Sequence, residues 1–218
     1  MAEELIKLKT TVKKIFYLLG YDISKSGIKK IKFIRPSSIF IQQYFGDKKI
    51  VGAEVGVWTG TNSLNILENM PNIEKFYAID SWAPYDSSDR CLEELKWAED
   101  LTRNRLSKFP GCVILKKTSS EAVNDIKAGE LDFVYIDSDH CYEAIKADIE
   151  NYYSLLKKGG VLAGHDIENV GHETEEGREK DDILEPRNGV ARAISEFCVA
   201  HNLILRIQAP DWFCIKEE

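Results

Sequence analysis

The stretch that decides the fold is Ala53-Glu54-Val55-Gly56-Val57-Trp58-Thr59-Gly60-Thr61-Asn62-Ser63. Before it, Ile50–Gly56 is a short apolar run with the look of a strand, and after it Thr61–Glu68 reads as a helix. A strand that turns through glycines into a helix opens a βαβ unit, and glycine there lets the backbone approach a ligand closely. The spacing is ExGxxxG and not GxGxxG, with only Gly56 and Gly60 inside the turn. The next strand, Lys75–Asp80, closes on Asp80, 24 residues after Gly56. An ionised acid there can accept hydrogen bonds from two ribose hydroxyls. Taken singly, the two features also read as a structural turn and a strand-capping Asp. In this order on one βαβ unit they point to a nucleoside cofactor.

The alternation continues down the chain. Helix Arg90–Lys108 precedes strand Val113–Leu115, and helix Glu121–Lys127 precedes strand Phe133–Asp137. Helix Tyr142–Leu156 precedes strand Val161–Asp166, and Val190–His201 is a further helix. Such spacing implies a doubly wound, Rossmann-like α/β fold around a mostly parallel sheet. Phe133–Ile136 and Val161–Ala163 are continuously apolar, as strands buried on both faces should be. Leu203–Ile207 and Trp212–Ile215 have no helix between them, so they are expected to pair antiparallel as a C-terminal hairpin.

The chain has 218 residues and a formal charge of −7. Hydrophobic residues make up 44% and charged residues 30%, the mix of an ordinary globular protein and too apolar for disorder. The charge is uneven. Residues 1–35 hold nine Lys/Arg against Glu3, Glu4 and Asp22, a balance of +6 that leaves −13 for the remainder. That balance excludes a simple electrostatic nucleic-acid binder. No apolar run reaches the roughly 20 residues of a membrane span, and no signal peptide is evident. Five widely spaced cysteines without a CxxC pair argue for reduced thiols and a cytoplasmic setting.

A boundary near residue 45 separates a basic helical extension, 1–45, from an acidic α/β domain, 46–218. In the extension, Leu5, Leu8, Val12, Ile15, Phe16 and Leu19 form an apolar stripe over residues 3–19. It suits docking on the domain or on a second copy in a homo-oligomer, and the lysines off the stripe also suit a membrane surface or a partner. Pro36-Ser37-Ser38 is expected to break the segment before a short turn of helix. Glu168–Arg187, with eight acids and three bases, reads as a long polar loop.

The sequence resembles the class I S-adenosylmethionine-dependent methyltransferases at Glu54–Gly60, at Asp80 and at the closing hairpin Leu203–Ile215. That family has a seven-stranded sheet whose last strand is antiparallel. The resemblance narrows at Phe133-Val134-Tyr135-Ile136-Asp137-Ser138-Asp139-His140 and at Leu155–Asp166, with its Gly164-His165-Asp166. These are similar to small-molecule O-methyltransferases of the macrocin- and mycinamicin-type, and the likeness covers about residues 48–216. It implies that Glu54, Gly56 and Gly60 contact the methionine half of S-adenosylmethionine and Asp80 its ribose, with Ser81 and Trp82 flanking the adenine. Ser119 and Ser120 stand where the family reads the adenine ring, and they also suit an N-cap for the helix at Glu121.

Asp137 and Asp166 each end a parallel strand, where open α/β sheets bind ligands. If the strands are neighbours, two such carboxylates either hold a cation such as Mg²⁺ or raise one another's pKa. His165 completes a candidate metal set with Asp137 and Asp166. Related metal-dependent enzymes use an acid or amide at that position, so three readings stand: a softer metal, a base, or no metal. His140 follows Asp137 by three residues, and its near-neutral pKa suits a general base. A histidine there has that role in the sugar methyltransferases, whereas the plain alternative is a helix-start histidine bonded to backbone. The expected reaction is methyl transfer to a hydroxyl of a small-molecule or glycan acceptor, with Asp137 and His140 as the catalytic pair. The rivals are a nicotinamide-dependent oxidoreductase, disfavoured by the missing GxGxxG, and a non-catalytic module that uses the basic N-terminal helix.

Overall fold

A computed structural model of the chain describes residues 35–84, 91–167 and 189–217, with the backbone of 21–24 and 27–30. The helix expected over 3–19 and the Glu168–Arg187 loop lie outside the described residues. In chain order the elements are the hairpin β1 (Tyr21–Ser24) and β2 (Gly27–Lys30), helix α1 (Pro36–Phe45), β3 (Ile50–Val55), α2 (Thr61–Asn69) and β4 (Ile73–Asp80). There follow α3 (Leu92–Leu106), β5 (Cys112–Lys116), the single turn α4 (Ser119–Ala122), β6 (Leu131–Ile136) and α5 (Tyr142–Leu155). The chain then runs through β7 (Leu156–Gly164), α6 (Gly189–Ala200), β8 (Arg206–Gln208) and β9 (Asp211–Ile215).

Seven of these strands make one sheet in the order β5-β4-β3-β6-β7-β9-β8. Pairing is parallel from β5 to β7, and β9 lies antiparallel to both β7 and β8. This is the expected doubly wound sheet with its antiparallel C-terminal hairpin. β6 is buried throughout, and its side chains alternate between the helical layers. Val134 and Ile136 pack with Ile145, Ile149 and Tyr152 of α5 and with Ile194 of α6. Phe133 and Tyr135 pack with Ile41 of α1, Ile66 of α2 and Leu106 of α3. Among the described residues no helix is long and apolar enough to cross a membrane.

The order reverses between β3 and β6. From β3 the chain steps outward to β4 and β5, then returns to β6 on the other side. Loops leaving β3 and β6 therefore diverge and open a crevice at their carboxyl ends. Ile136 pairs with Gly164, so the ends of β6 and β7 are neighbours.

Several boundaries differ from the sequence reading. Residues 36–45 form a ten-residue helix and not a short turn, because Pro36 sits in its first turn, where its missing N–H costs nothing. β7 begins at Leu156, five residues earlier than Val161. Gly159, at φ +73°, adopts a conformation that few other residues tolerate, and the Lys157–Gly160 segment bulges out of register with β6 before pairing resumes at Val161. The helix expected from Glu121 starts at Ser119 and gives way to a 3₁₀ turn after Ala122.

The last part of the extension is built onto the sheet through a buried acid that sequence patterning did not mark. Asp211, fully buried on β9, accepts from the Ser37 backbone N–H at 3.1 Å and the Ser37 hydroxyl at 2.6 Å. It also accepts from the Tyr135 hydroxyl at 3.0 Å, and Arg35 Nη1 lies 3.9 Å away. Truncating Asp211 strands three buried donors and an arginine. Asp211→Ala is expected to cost about 3–5 kcal/mol, read as a shift of the urea unfolding midpoint. A loss under about 1 kcal/mol would contradict this role.

Candidate functional site

The site grows from the loop that leaves β3. Gly56 holds φ +88°, and a Cβ on it would lie 2.0 Å from the Asp137 carbonyl oxygen. Only glycine lets this loop pass so close to the one leaving β6. Backbone bonds fix both loops: Gly56 N–H donates to Ile79 O at 2.9 Å, and Asp137 N–H donates to Val55 O at 2.8 Å. Helix α3 then pins the glycine turn from outside. Thr102 Oγ1 donates to Trp58 O at 2.7 Å, and Arg105 Nη1 donates to Thr59 O and Thr61 Oγ1, each at 2.8 Å.

Asp80 ties the first loop to the second. Its carboxylate accepts from the Trp58 amide and the Trp82 amide, both at 2.8 Å. Both tryptophans hold positive φ, +52° and +43°, a conformation such residues seldom adopt without support. Trp82 Nε1 also donates to Trp58 O at 2.8 Å. Trp82, expected beside the adenine, is thus buried in the core, while Trp97 on α3 is exposed. A carboxylate with two oxygens keeps acceptor capacity after two amide bonds, which fits a ribose diol. Ser81 follows, its hydroxyl accepting from the Ala83 amide at 3.3 Å.

Glu54 lies beneath the loop, 1% exposed. Its carboxyl accepts from Asn62 Nδ2 at 2.8 Å and from the Ser63 hydroxyl, both in the first turn of α2. Burial pushes its pKa up to about 8, against the hydrogen bonds from Ser63 and Asn62, and the charge of Asp137 adds to the rise. The folded protein therefore keeps a proton that the unfolded chain sheds near its ordinary value of 4.5. By linkage, this group's contribution is most favourable below about pH 4.5, falls as pH rises toward about 8, and is flat beyond. The span amounts to roughly 3–5 kcal/mol. Glu54→Gln should therefore gain stability over the parent between about pH 5 and about pH 8.5, measured by urea unfolding at both. Parallel pH profiles would contradict this.

On the far side of the crevice, the loop after β5 is capped by Thr118 and not by the serines. Thr118 and Glu121 form a reciprocal capping box. Ser119 hydrogen-bonds Asp148 on α5, and so does the Ser138 hydroxyl. Asp148 thus joins the Ser119–Ser120 loop to the loop after β6, and burial raises its pKa. It is a site-building residue the sequence reading missed. The available signal was an acid inside the apolar stripe Ile145, Ile149, Tyr152.

At the ends of β6 and β7 the four expected side chains meet. His140 Nε2 lies 2.9 Å from Asp166 Oδ2 and 3.7 Å from Asp137 Oδ1. His165 Nδ1 lies 2.9 Å from Asp166 Oδ1 and 3.8 Å from Asp137 Oδ1. Asp166 reaches both imidazoles from a left-handed backbone, φ +61°. Among the described residues, Asp137, His140 and Asp166 offer ligand atoms all within 4.8 Å of one another, a spacing that can hold a metal ion. The sequence reading grouped His165 with the two acids; the structure brings both imidazoles to the pair. The neighbouring carboxylates of Asp137 and Asp166, the latter accepting from Nε2, raise the His140 pKa to about 10. Burial pulls Asp166 upward, but His140 and His165 outweigh it and hold the carboxyl well below its ordinary range. Asp139 accepts from the Cys141 amide at the foot of α5, so it is turned toward the helix start.

A family model described as a methyltransferase domain matches residues 53–167, just over half of the chain. The chain belongs to that family. Solved structures agree on the fold. A Staphylococcus aureus protein provisionally designated a caffeoyl-CoA O-methyltransferase superposes with a TM-score of 0.61 at 15% identity, covering 84% of each chain. A precorrin-6y C5,15-methyltransferase from Geobacter metallireducens gives 0.53 at 14% identity, over 86% of this chain and 90% of that one. The MycE methyltransferase of the mycinamycin biosynthetic pathway, solved with Mg and SAH, gives 0.55 at 12% identity, over 84% of this chain and 48% of that one. The fold is that of the class I S-adenosylmethionine-dependent methyltransferases. An uncharacterized protein of Sinorhizobium fredii, y4gI, is 29% identical over 96 residues, 44% of this chain. That match spans 10% of y4gI, so the chain covers about a tenth of the length of this curated relative.

Proposed function

We propose that residues 46–218 transfer a methyl group from S-adenosylmethionine to a hydroxyl of a small molecule or sugar, with a divalent cation at the carboxylate pair. The observation that carries this reading is the switch point. It sets a nucleoside-ready carboxylate, Asp80, and the glycine turn beside Asp137, His140 and Asp166 on one sheet edge. A MycE structure of the same fold was solved with Mg, SAH and mycinamycin VI together, which is the kind of assembly this reading expects.

The groups present fit both partners. The close approach at Gly56 leaves backbone exposed to the methionine half, Asp80 takes the ribose, and Ser81, Ser119 and Ser120 flank the adenine. S-adenosylmethionine brings a methyl already activated on sulfonium, so the chain's main task is to align oxygen, carbon and sulfur. Two carboxylates and an imidazole form a donor set for a divalent ion. Such an ion on Asp137 and Asp166 would polarise an acceptor oxygen and weaken the hold of both acids on the His140 proton. His140, nearest solvent, then takes the hydroxyl proton, while Asp166 orients its ring from 2.9 Å.

S-adenosylhomocysteine in large excess is expected to raise the unfolding temperature by roughly 5–10 °C. NAD⁺ at the same concentration should leave it unchanged. Protection by NAD⁺ alone would favour the nicotinamide reading and reject this one.

A further inference from the structure

We propose that the carboxylate pair selects a first-row transition dication, such as Mn²⁺, Co²⁺ or Zn²⁺, over Mg²⁺, with His165 Nδ1 as the nitrogen ligand. This rests on the reading that Asp137 and Asp166 hold a cation.

Mg²⁺ demands oxygen donors and keeps several waters, whereas imidazole suits the later first-row ions. At this site an imidazole nitrogen approaches each side of Asp166, both at 2.9 Å. Adjacent donors around a first-row ion with bonds near 2.1 Å stand about 3 Å apart. His165 Nδ1 and Asp166 Oδ1 already have that spacing.

Exposure and anchoring decide between the two histidines. The His140 side chain is 43% exposed and lies in the loop just before α5, a position that can pass a proton to solvent. The His165 side chain is 17% exposed. Its backbone is fixed on both sides: its N–H donates to Ile136 O at 3.1 Å, and its carbonyl accepts from Trp212 Nε1 at 3.0 Å. A ligand gains from such rigidity. His165 Nδ1 already faces the carboxylate pair, 2.9 Å from Asp166 Oδ1 and 3.8 Å from Asp137 Oδ1. Asp166, next along, holds a left-handed backbone that costs about 1 kcal/mol in a non-glycine residue, strain of the kind kept at functional sites.

The test is a metal titration of the full chain after chelator treatment, read by calorimetry and by the visible absorption of bound Co²⁺. Co²⁺ should bind at least about 100-fold more tightly than Mg²⁺, with bands that report nitrogen in the shell. His165→Glu should shrink that ratio about 10-fold or more and alter the bands. His165→Asn carries the same expectation should the glutamate variant not fold. His140→Gln should keep the preference for Co²⁺. Equal or tighter binding of Mg²⁺ by the parent overturns the proposal, as does loss of the nitrogen signature in His140→Gln alone. S-adenosylhomocysteine binding with no divalent ion bound also overturns it, and leaves methyl transfer standing. Selective Co²⁺ binding without S-adenosylhomocysteine binding upholds the donor set and rejects the methyl-transfer reading beneath it.

Discussion

Gly56→Ala is expected to abolish S-adenosylhomocysteine binding and to lower stability by about 2–4 kcal/mol. The new Cβ would stand 2.0 Å from the Asp137 carbonyl oxygen and 2.4 Å from its carbon. Both are backbone atoms just past the end of β6, so no rotamer change relieves the clash. Either the β3 loop lifts, which frees the glycine turn, or the β6 loop retreats, which moves Asp137 away from Asp166. The positive φ adds its own cost in a residue with a Cβ. Gly129 is a matched control: its φ is +67°, but a Cβ there meets nothing within 4 Å. Gly129→Ala should therefore lose only about 1 kcal/mol and bind normally. Urea unfolding and calorimetry read both quantities. Normal binding by Gly56→Ala would show that the close approach of the two loops is dispensable.

Asp80→Ala should weaken S-adenosylhomocysteine about 100-fold. Two effects add. The ribose loses a charged acceptor, a bond worth about 1.5–3 kcal/mol. The Trp58 and Trp82 amides lose theirs as well, and both residues hold backbone conformations that rely on that anchor. Asp80→Asn offers one oxygen where two amides converge, so it should fall between the alanine variant and the parent. Affinity within about threefold of the parent would place the nucleoside elsewhere.

Much of the sheet was legible because its central strands are buried on both faces and must be continuously apolar, as Phe133–Ile136 and Val161–Ala163 are. The glycine turn was legible for a local reason, since strand, glycines and helix adjoin in sequence. Asp211 was hidden: it read as part of a turn, and its partner Ser37 lies 174 residues away. Asp148 was hidden because one acid in an apolar helical stripe reads as a solvated interruption until its partners on two other loops are known. The two histidines were visible, but their contacts were not. Which imidazole meets which carboxylate oxygen depends on how β6 and β7 pair and on the left-handed turn at Asp166, and neither is written locally. α1 was underestimated because Pro36 was read as a breaker when at a first turn it is a starter.

A crystal structure of the protein with S-adenosylhomocysteine tests the central claim most directly. The ribose hydroxyls should rest on the Asp80 carboxylate, the homocysteine should lie along the Gly56–Gly60 turn, and the sulfur should face Asp137 and His140. A nucleoside bound away from Asp80, or a sulfur directed away from the Asp137–Asp166 edge, would contradict it.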